Sequence, residues 1–329
     1  MDNKNTSRLL WIDWMKTIGM YFIILGHFFC IGHKYIYLFS VPLFFMVSGF
    51  LSKKEEKQIV FWNKLWRNLI LPMVLIVAIC FIIEMCLGSI GVLFGPFTYE
   101  GLSDTIFGSI VGSQSALAGC WFIYTLIVLK CILQYTLQFR RYMIIHLCIY
   151  IVFTLLAVTM EGTLFQSDER ANAFINTFVA YPFFMLGYYA KYFKSELSSH
   201  IPLGKGLLLS LCLLILLYYI GNLNGFVWMY KCCYGEDFML FVLGGVVGTI
   251  IVYLASKILE GFKWQAVIDI SNGCVVILGF HYYFNMLVSH FVDNNSLMVY
   301  IISFFILVAF VPIIRLIRRF FPLMLGVRR

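Results

Sequence analysis

Ten apolar runs divide the chain, at about residues 14–32, 35–52, 67–87, 119–138, 142–160, 172–193, 206–224, 237–259, 267–291 and 296–316. Each is bounded by Gly, Pro, Asn or charged residues, the ordinary punctuation of helix ends. Their lengths suit the ~20 residues that an α-helix needs to cross a bilayer core ~30 Å thick. The pattern predicts an all-α integral membrane fold of about ten transmembrane helices, forming a single domain over residues 1–329. Residues 88–118 are the longest interruption; rich in Gly and Ser and containing Pro96, they read as a loop, with a re-entrant path as an option. The first run is too long for a cleaved signal peptide and reads as a retained helix.

Composition agrees with the pattern and removes other classes. Of 329 residues, 62% are hydrophobic and 12% charged, and 33 are Phe. A water-soluble globule of this size has no way to hide so much apolar surface. A soluble enzyme, a secreted disulfide scaffold and a disordered chain are excluded. Most of the ten cysteines fall inside the apolar runs and none forms a C-x-x-C pair, so they read as small hydrophobes, with no metal site expected.

The net charge of +8 raises nucleic acid as a partner, and the placement of the charges removes it. With the N-terminus in the cytoplasm, 20 of the 24 basic residues fall in inner segments, and the outer segments hold only Lys34, Arg170 and Lys231. This is the positive-inside bias of a multi-pass protein. It predicts cytoplasmic N- and C-termini and residence in the cell (inner) membrane, with the bilayer as principal partner. The oligomeric state is open.

Ionisable side chains inside spans are costly in lipid and mark function by default. The candidates are Lys16, His27, Glu84, Lys130, His146, His281 and His290. Lys16 can snorkel to the inner interface. His27 lies eleven residues further, about 16 Å at 1.5 Å per residue, and is expected near the midplane. It reads either as a packed, hydrogen-bonded histidine or as a general base titrating near neutrality. His281, ten residues beyond Ser271 on the ninth span, comes out at similar depth, so the two histidines are expected to share a cavity. Ser48 and Gly49, near the end of the second span, suit either helix packing or a site. Lys64 and Arg67, three apart, read as topological anchors or as a clamp for phosphate at the inner surface. Trp121 opens the fourth span, where Trp is usually an interfacial anchor. Glu84 and Lys130 come out at different depths and are not expected to pair.

In order along the chain stand Leu10-Trp11-Ile12-Asp13-Trp14-Met15-Lys16, Gly26-His27, and Val41-Pro42-Leu43-Phe44-Phe45-Met46-Val47-Ser48-Gly49-Phe50. Together they resemble the membrane-bound acyltransferase-3 family, in wording nearest to its branch of fucose 4-O-acetylases. The basic residue and histidine with ten residues between them are Lys16 and His27. The two basic residues three apart are Lys64 and Arg67, followed by Pro72; Trp121-Phe122 and a late Ser271…His281 helix also match. The resemblance implies acyl transfer, most often of acetyl, from cytoplasmic acyl-CoA to a sugar hydroxyl of a surface glycan or lipid-linked precursor. It implies His27 as general base or acyl acceptor with Lys16 at the inner rim. Lys64, Arg67, Ser48 and Gly49 would lie at the donor site, and Trp121, Ser271 and His281 near the acceptor or behind the base. Acetyl-CoA would be a co-substrate; no covalently bound cofactor and no metal are implied. Ser40 stands where the branch usually carries a histidine, and Lys16 and Lys64 stand where Arg is common. Lysine keeps the charge and loses the fork. A transporter or flippase for a polar solute or glycolipid is the other reading of intramembrane charges, without the paired half-repeats typical of transporters.

Overall fold

The computed structural model describes residues 8–91, 103–104, 120–136, 152 and 172–326. Among them the regular elements are helical, apart from one isolated bridge between Trp228 and Cys233. The helices of eight residues or more are α1 Leu10–Gly26, α2 His33–Leu51, α3 Gln58–Leu65, α4 Leu71–Ser89, α5 Cys120–Thr136, α6 Asn172–Ala190, α7 Leu203–Asn224, α8 Phe238–Leu259, α9 Gln265–Asn272, α10 Cys274–Ser289 and α11 Met298–Phe320. Five spans are long and apolar enough to cross a membrane: α2, the continuous 32-residue stretch of α3 and α4, α7, α8 and α11. The bent pair α9–α10 makes a sixth if taken as one span. The chain is therefore a multi-pass membrane protein. The run predicted at 142–160 and most of the 88–118 interruption lie outside the described residues, apart from residues 88–91, 103–104 and 152.

Two helices organise the bundle. α2 packs on α1, α6, α7 and α8, and α1 packs on α2, α8, α9, α10 and α11. The α2–α6 contact is the closest. A Cβ on Gly49 would fall 1.8 Å from the carbonyl oxygen of Phe184, and one on Gly187 would fall 1.9 Å from that of Met46. Each glycine receives the other helix's backbone, which suits a solvent where helices associate through packing rather than through exclusion from water. Gly49, expected at the donor site, belongs to this contact instead.

Three helix interruptions differ from the runs read in the sequence. α1 begins four residues before the predicted 14–32 run and ends at Gly26. Phe28, Phe29, Cys30 and Ile31 are as apolar as the helix, so hydropathy does not register its end. Phe29 takes a left-handed conformation (φ +49°) and Gly32 another (φ +84°), and these turn the chain into α2. Between α3 and α4, Trp66–Ile70 forms a wide π turn in which the Leu71 N–H donates to the Trp66 carbonyl, five residues back. Pro72 follows at once and has no N–H with which to continue a regular ladder. The predicted ninth span is broken at Gly273, where α9 and α10 meet at 87°. A Cβ there would lie 2.3 Å from Ile314 Cδ1, so only a glycine lets α11 cross against the bend.

Charges pin the end of this arrangement at which α1 begins. Asp269 on α9, fully buried, accepts from Arg315 Nε (2.7 Å), Arg318 (2.7 Å) and Gln265 (3.1 Å). Two of the arginines counted as topological signals thus also hold α9 against α11. At the other end, Asn176 donates to the Met229 carbonyl (2.8 Å) and accepts from Tyr234 OH (3.1 Å). Asn224 donates to the Tyr234 carbonyl (2.9 Å). These bonds fold residues 225–237 over the bundle.

The α2–α6 contact yields a stability prediction. Gly49→Ala and Gly187→Ala should each lower stability by about 1–3 kcal/mol, the usual cost of overpacking, seen as a lowered thermal unfolding midpoint in detergent. The double variant should cost less than the sum, because both act on one contact. Wild-type midpoints for both single variants would mean that the helices do not approach so closely.

Candidate active site

The end of α1 leaves the Ile24 carbonyl without a backbone partner, while those of Ile23 and Gly26 still accept from the N–H groups of His27 (3.3 Å) and Phe29 (2.9 Å). Side chains bond all three. His27 Nδ1 donates to the Ile23 carbonyl (2.8 Å), Asn285 Nδ2 on α10 donates to that of Ile24 (2.7 Å), and Tyr37 OH on α2 donates to that of Gly26 (3.0 Å). The first bond fixes the histidine. A carbonyl can only accept, so Nδ1 carries the hydrogen, and Nε2 of the neutral ring is left with its lone pair. His281 repeats this on α10, where Nδ1 donates to the carbonyls of Ile277 (2.9 Å) and Leu278 (3.1 Å). Its Nε2 is buried and without a partner.

The two imidazoles meet edge to face, with ring centroids 4.7 Å apart. This is the juxtaposition that the depth argument predicted, although His27 is reached differently. It follows the last residue of a 17-residue helix, about 26 Å long at 1.5 Å per residue, instead of sitting midway along a longer one. His27 remains half-buried while His281 is 1% exposed, so His27 is the ring a reactant can reach. Outside it lies an aromatic rim. Phe29 packs against His33, Tyr37 and Trp228, and Phe226 against His33, Tyr37 and Trp228, with centroids 5.4–6.2 Å apart.

Towards the other end of α1 opens a cleft of about 580 Å³. Lys16 lines it, with Ser48, Lys64, Lys130, Ser271 and Asn272, and its wall continues through Met20, Phe44, Phe122 and Leu278 towards the histidines. The cleft thus has a cationic part and an apolar part. Lys64 Nζ is bound to Glu55 (2.7 Å). Arg67 is half-buried in the π turn and does not line the cleft, which takes Phe61, Lys64, Leu65 and Asn68 from the other side of this helix. Ser271, in the cleft wall, donates its Oγ to Asp13 Oδ1 (2.6 Å). Asp13 also accepts two bonds from Arg8 (2.6 and 2.8 Å), and Arg8 reaches Asn272 (3.1 Å). This buried knot ties the start of α1 to the bend at Gly273. Trp121 is buried against Tyr230 (centroids 6.4 Å) rather than at the lipid interface. Its neighbour Phe122 reaches the cleft and packs on Phe45 (4.7 Å). Glu84 takes Tyr283 OH (2.8 Å) and Lys130 takes Ser52 Oγ (2.8 Å), so these two ionisable groups are separate, as their depths required.

Three polar residues here had no role in the sequence reading. Asp13 stood within the opening motif, but a helix read as starting at residue 14 left it outside lipid. Asn285 is one turn beyond His281, and its spacing was the available signal. Lys130 was recognised as anomalous without a partner to give it meaning.

A family model described as an acyltransferase domain, that of the acyltransferase-3 family, matches residues 9–316. No curated protein and no solved structure matches the chain. The match takes in α1 with its lysine and histidine, the cleft and almost all of α11. The chain belongs to the acyltransferase-3 family, and it is a membrane-embedded acyltransferase.

Proposed function

We propose that the protein transfers an acetyl group from cytoplasmic acetyl-CoA to a hydroxyl of a surface sugar, or of its lipid-linked precursor, as the resemblance to fucose 4-O-acetylases implies. The observation that carries this reading is His27: held by Nδ1 to the Ile23 carbonyl, half-exposed, with Nε2 free to take a proton. The acceptor hydroxyl gives its proton to His27 Nε2. Its oxygen attacks the thioester carbonyl, the C–S bond breaks, and the CoA thiolate leaves and recovers a proton from the imidazolium. His281 lies beside the ring and, having no proton on Nε2, accepts a hydrogen bond from protonated His27 or from the acceptor.

Lys16 and Lys64 at the cationic part of the cleft would hold the phosphates of CoA. The apolar wall between Lys16 and His27 suits the pantetheine arm, an extended chain comparable in length to the separation of those residues along α1, about 16 Å. The aromatic rim around Phe29 and Trp228 offers ring faces on which the apolar face of a pyranose can lie. The topology that goes with this reading has ten spans and both termini in the cytoplasm of the inner membrane. The cationic cleft then opens to the CoA pool and the rim opens outward.

Two tests follow. General-base catalysis typically contributes ~10²–10⁴-fold. His27→Ala and His27→Gln should therefore lose at least about a hundredfold in acetyl transfer measured in membranes, while insertion and CoA binding persist. A Gln variant with most of its activity would remove His27 from the chemistry. For the topology, Ile90→Cys, just past α4 and exposed, should react with a membrane-impermeant maleimide from outside the cell, in a background with Cys86 and Cys212 changed to Ser. Labelling from the cytoplasm alone would invert the orientation.

A further inference from the structure

We infer that Lys130 is a donor-binding residue: with Lys16 it forms a two-cation seat for the pyrophosphate of CoA, inside the cleft rather than at its rim. The inference rests on the reading of the chain as a CoA-dependent acyltransferase.

Lys130 is half-buried on α5, nine residues past Trp121, and lines the same cleft as Lys16. Both side chains open onto this one cleft. The cleft offers them little in return. Lys130 donates to Ser52 Oγ (2.8 Å), and Lys191, from the end of α6, donates to the Ser52 carbonyl (3.0 Å). Lys16 has no hydrogen-bond or ion-pair partner among the described residues. Ser52 caps the C-terminus of α2, and a helix C-terminus supplies roughly half an elementary negative charge. Glu55, the carboxylate in the lining, is already engaged by Lys64 (2.7 Å), with Lys53 at 3.9 Å. Among the described residues, two cations are thus left without a counter-charge in the cleft, an arrangement that is costly until an anion arrives.

Position selects the anion. Lys16 lies eleven residues before His27 on α1, about 16 Å away. A charged group of the acceptor seated on the lysines would leave its hydroxyl far from the base. CoA carries its pyrophosphate and its sulfur at opposite ends of the pantetheine chain, so one molecule can meet the lysines and the imidazole together. Lysine binds phosphate as a point charge and needs no fork geometry. Both members of this seat being Lys therefore suits a diphosphate.

The test uses the purified full chain in phosphatidylcholine nanodiscs, with CoA, pantetheine and inorganic pyrophosphate as probes. Lys130→Gln should weaken CoA binding about tenfold or more and pyrophosphate competition with it, with pantetheine binding changed far less. Lys130→Arg should recover most of the loss. In turnover, kcat/KM for acetyl-CoA should fall at least tenfold more than that for S-acetylpantetheine, mainly through KM. Ser52→Ala removes the resting hydrogen bond and keeps the charge, so its CoA affinity should stay within about twofold. Unchanged CoA affinity in folded Lys130→Gln overturns the proposal. So does an equal loss with both thioesters, or an equal loss in Ser52→Ala, since either marks a structural prop. If wild type binds pyrophosphate through Lys130 but not CoA, the seat is real and the donor reading fails. If it binds CoA with no dependence on Lys130, the donor reading stands and this inference fails.

Discussion

Inside a bilayer no water is available to a backbone amide or carbonyl, so a helix can be interrupted only where protein supplies the missing partners. This constraint decides where the chemistry sits. The described residues hold three interruptions on the site side of the bundle: the end of α1 at Gly26, the π turn at Trp66–Ile70 and the bend at Gly273. Two of them are covered by neighbouring side chains. Asn285 supplies the partner that the Ile24 carbonyl lacks, with His27 and Tyr37 adding bonds to those of Ile23 and Gly26, and the knot of Arg8, Asp13, Ser271 and Asn272 closes around the bend. The places where helix regularity fails are thus where polar side chains become affordable in lipid.

α1 works as a ruler between two environments. Near its start are Asp13, committed to Arg8 and Ser271, and Lys16, open to the cleft. At its end is an imidazole whose tautomer the helix's own carbonyl dictates. The separation is set by rise per residue alone, which makes a lysine and a histidine with ten residues between them a geometric statement about how far a charged group and a reacting group stand apart.

That statement was legible in the sequence, as were the helical class, the positions of most described helices and the meeting of His27 with His281. Depth follows from counting residues along a rigid helix, so whatever depends on depth can be read. Rotation and termination cannot. Phe28 to Ile31 continue the apolar run past the true end of α1, and Val275 to Phe280 continue it past the bend, so hydropathy joined what the backbone separates. Gly49 suited helix packing or a site, and the Phe184 carbonyl lying against it shows the packing. Trp121 looked like an interfacial anchor because its inward partner, Tyr230, is more than a hundred residues away. Asp13 and Asp269 were hidden for the same reason: their arginine partners were already explained by topology, and one charge can serve both purposes.

The π turn between α3 and α4 has a rotational consequence. At 100° per residue, a regular helix would leave Phe61 and Glu84 about 140° apart around its axis. A π turn absorbs one extra residue and takes about 100° of that back. Phe61, Leu65 and Leu69, which line the cleft, thereby share a side with Ile76, Cys80 and Glu84, which are buried further along where α4 packs on α10. Straightening the turn into regular helix with all its residues kept would swing Lys64 and its neighbours out towards lipid, whereas deleting one residue of it would leave about the same 40° between Phe61 and Glu84. The wide turn is how one long helix carries an extra residue and still keeps two successive partners on the same side.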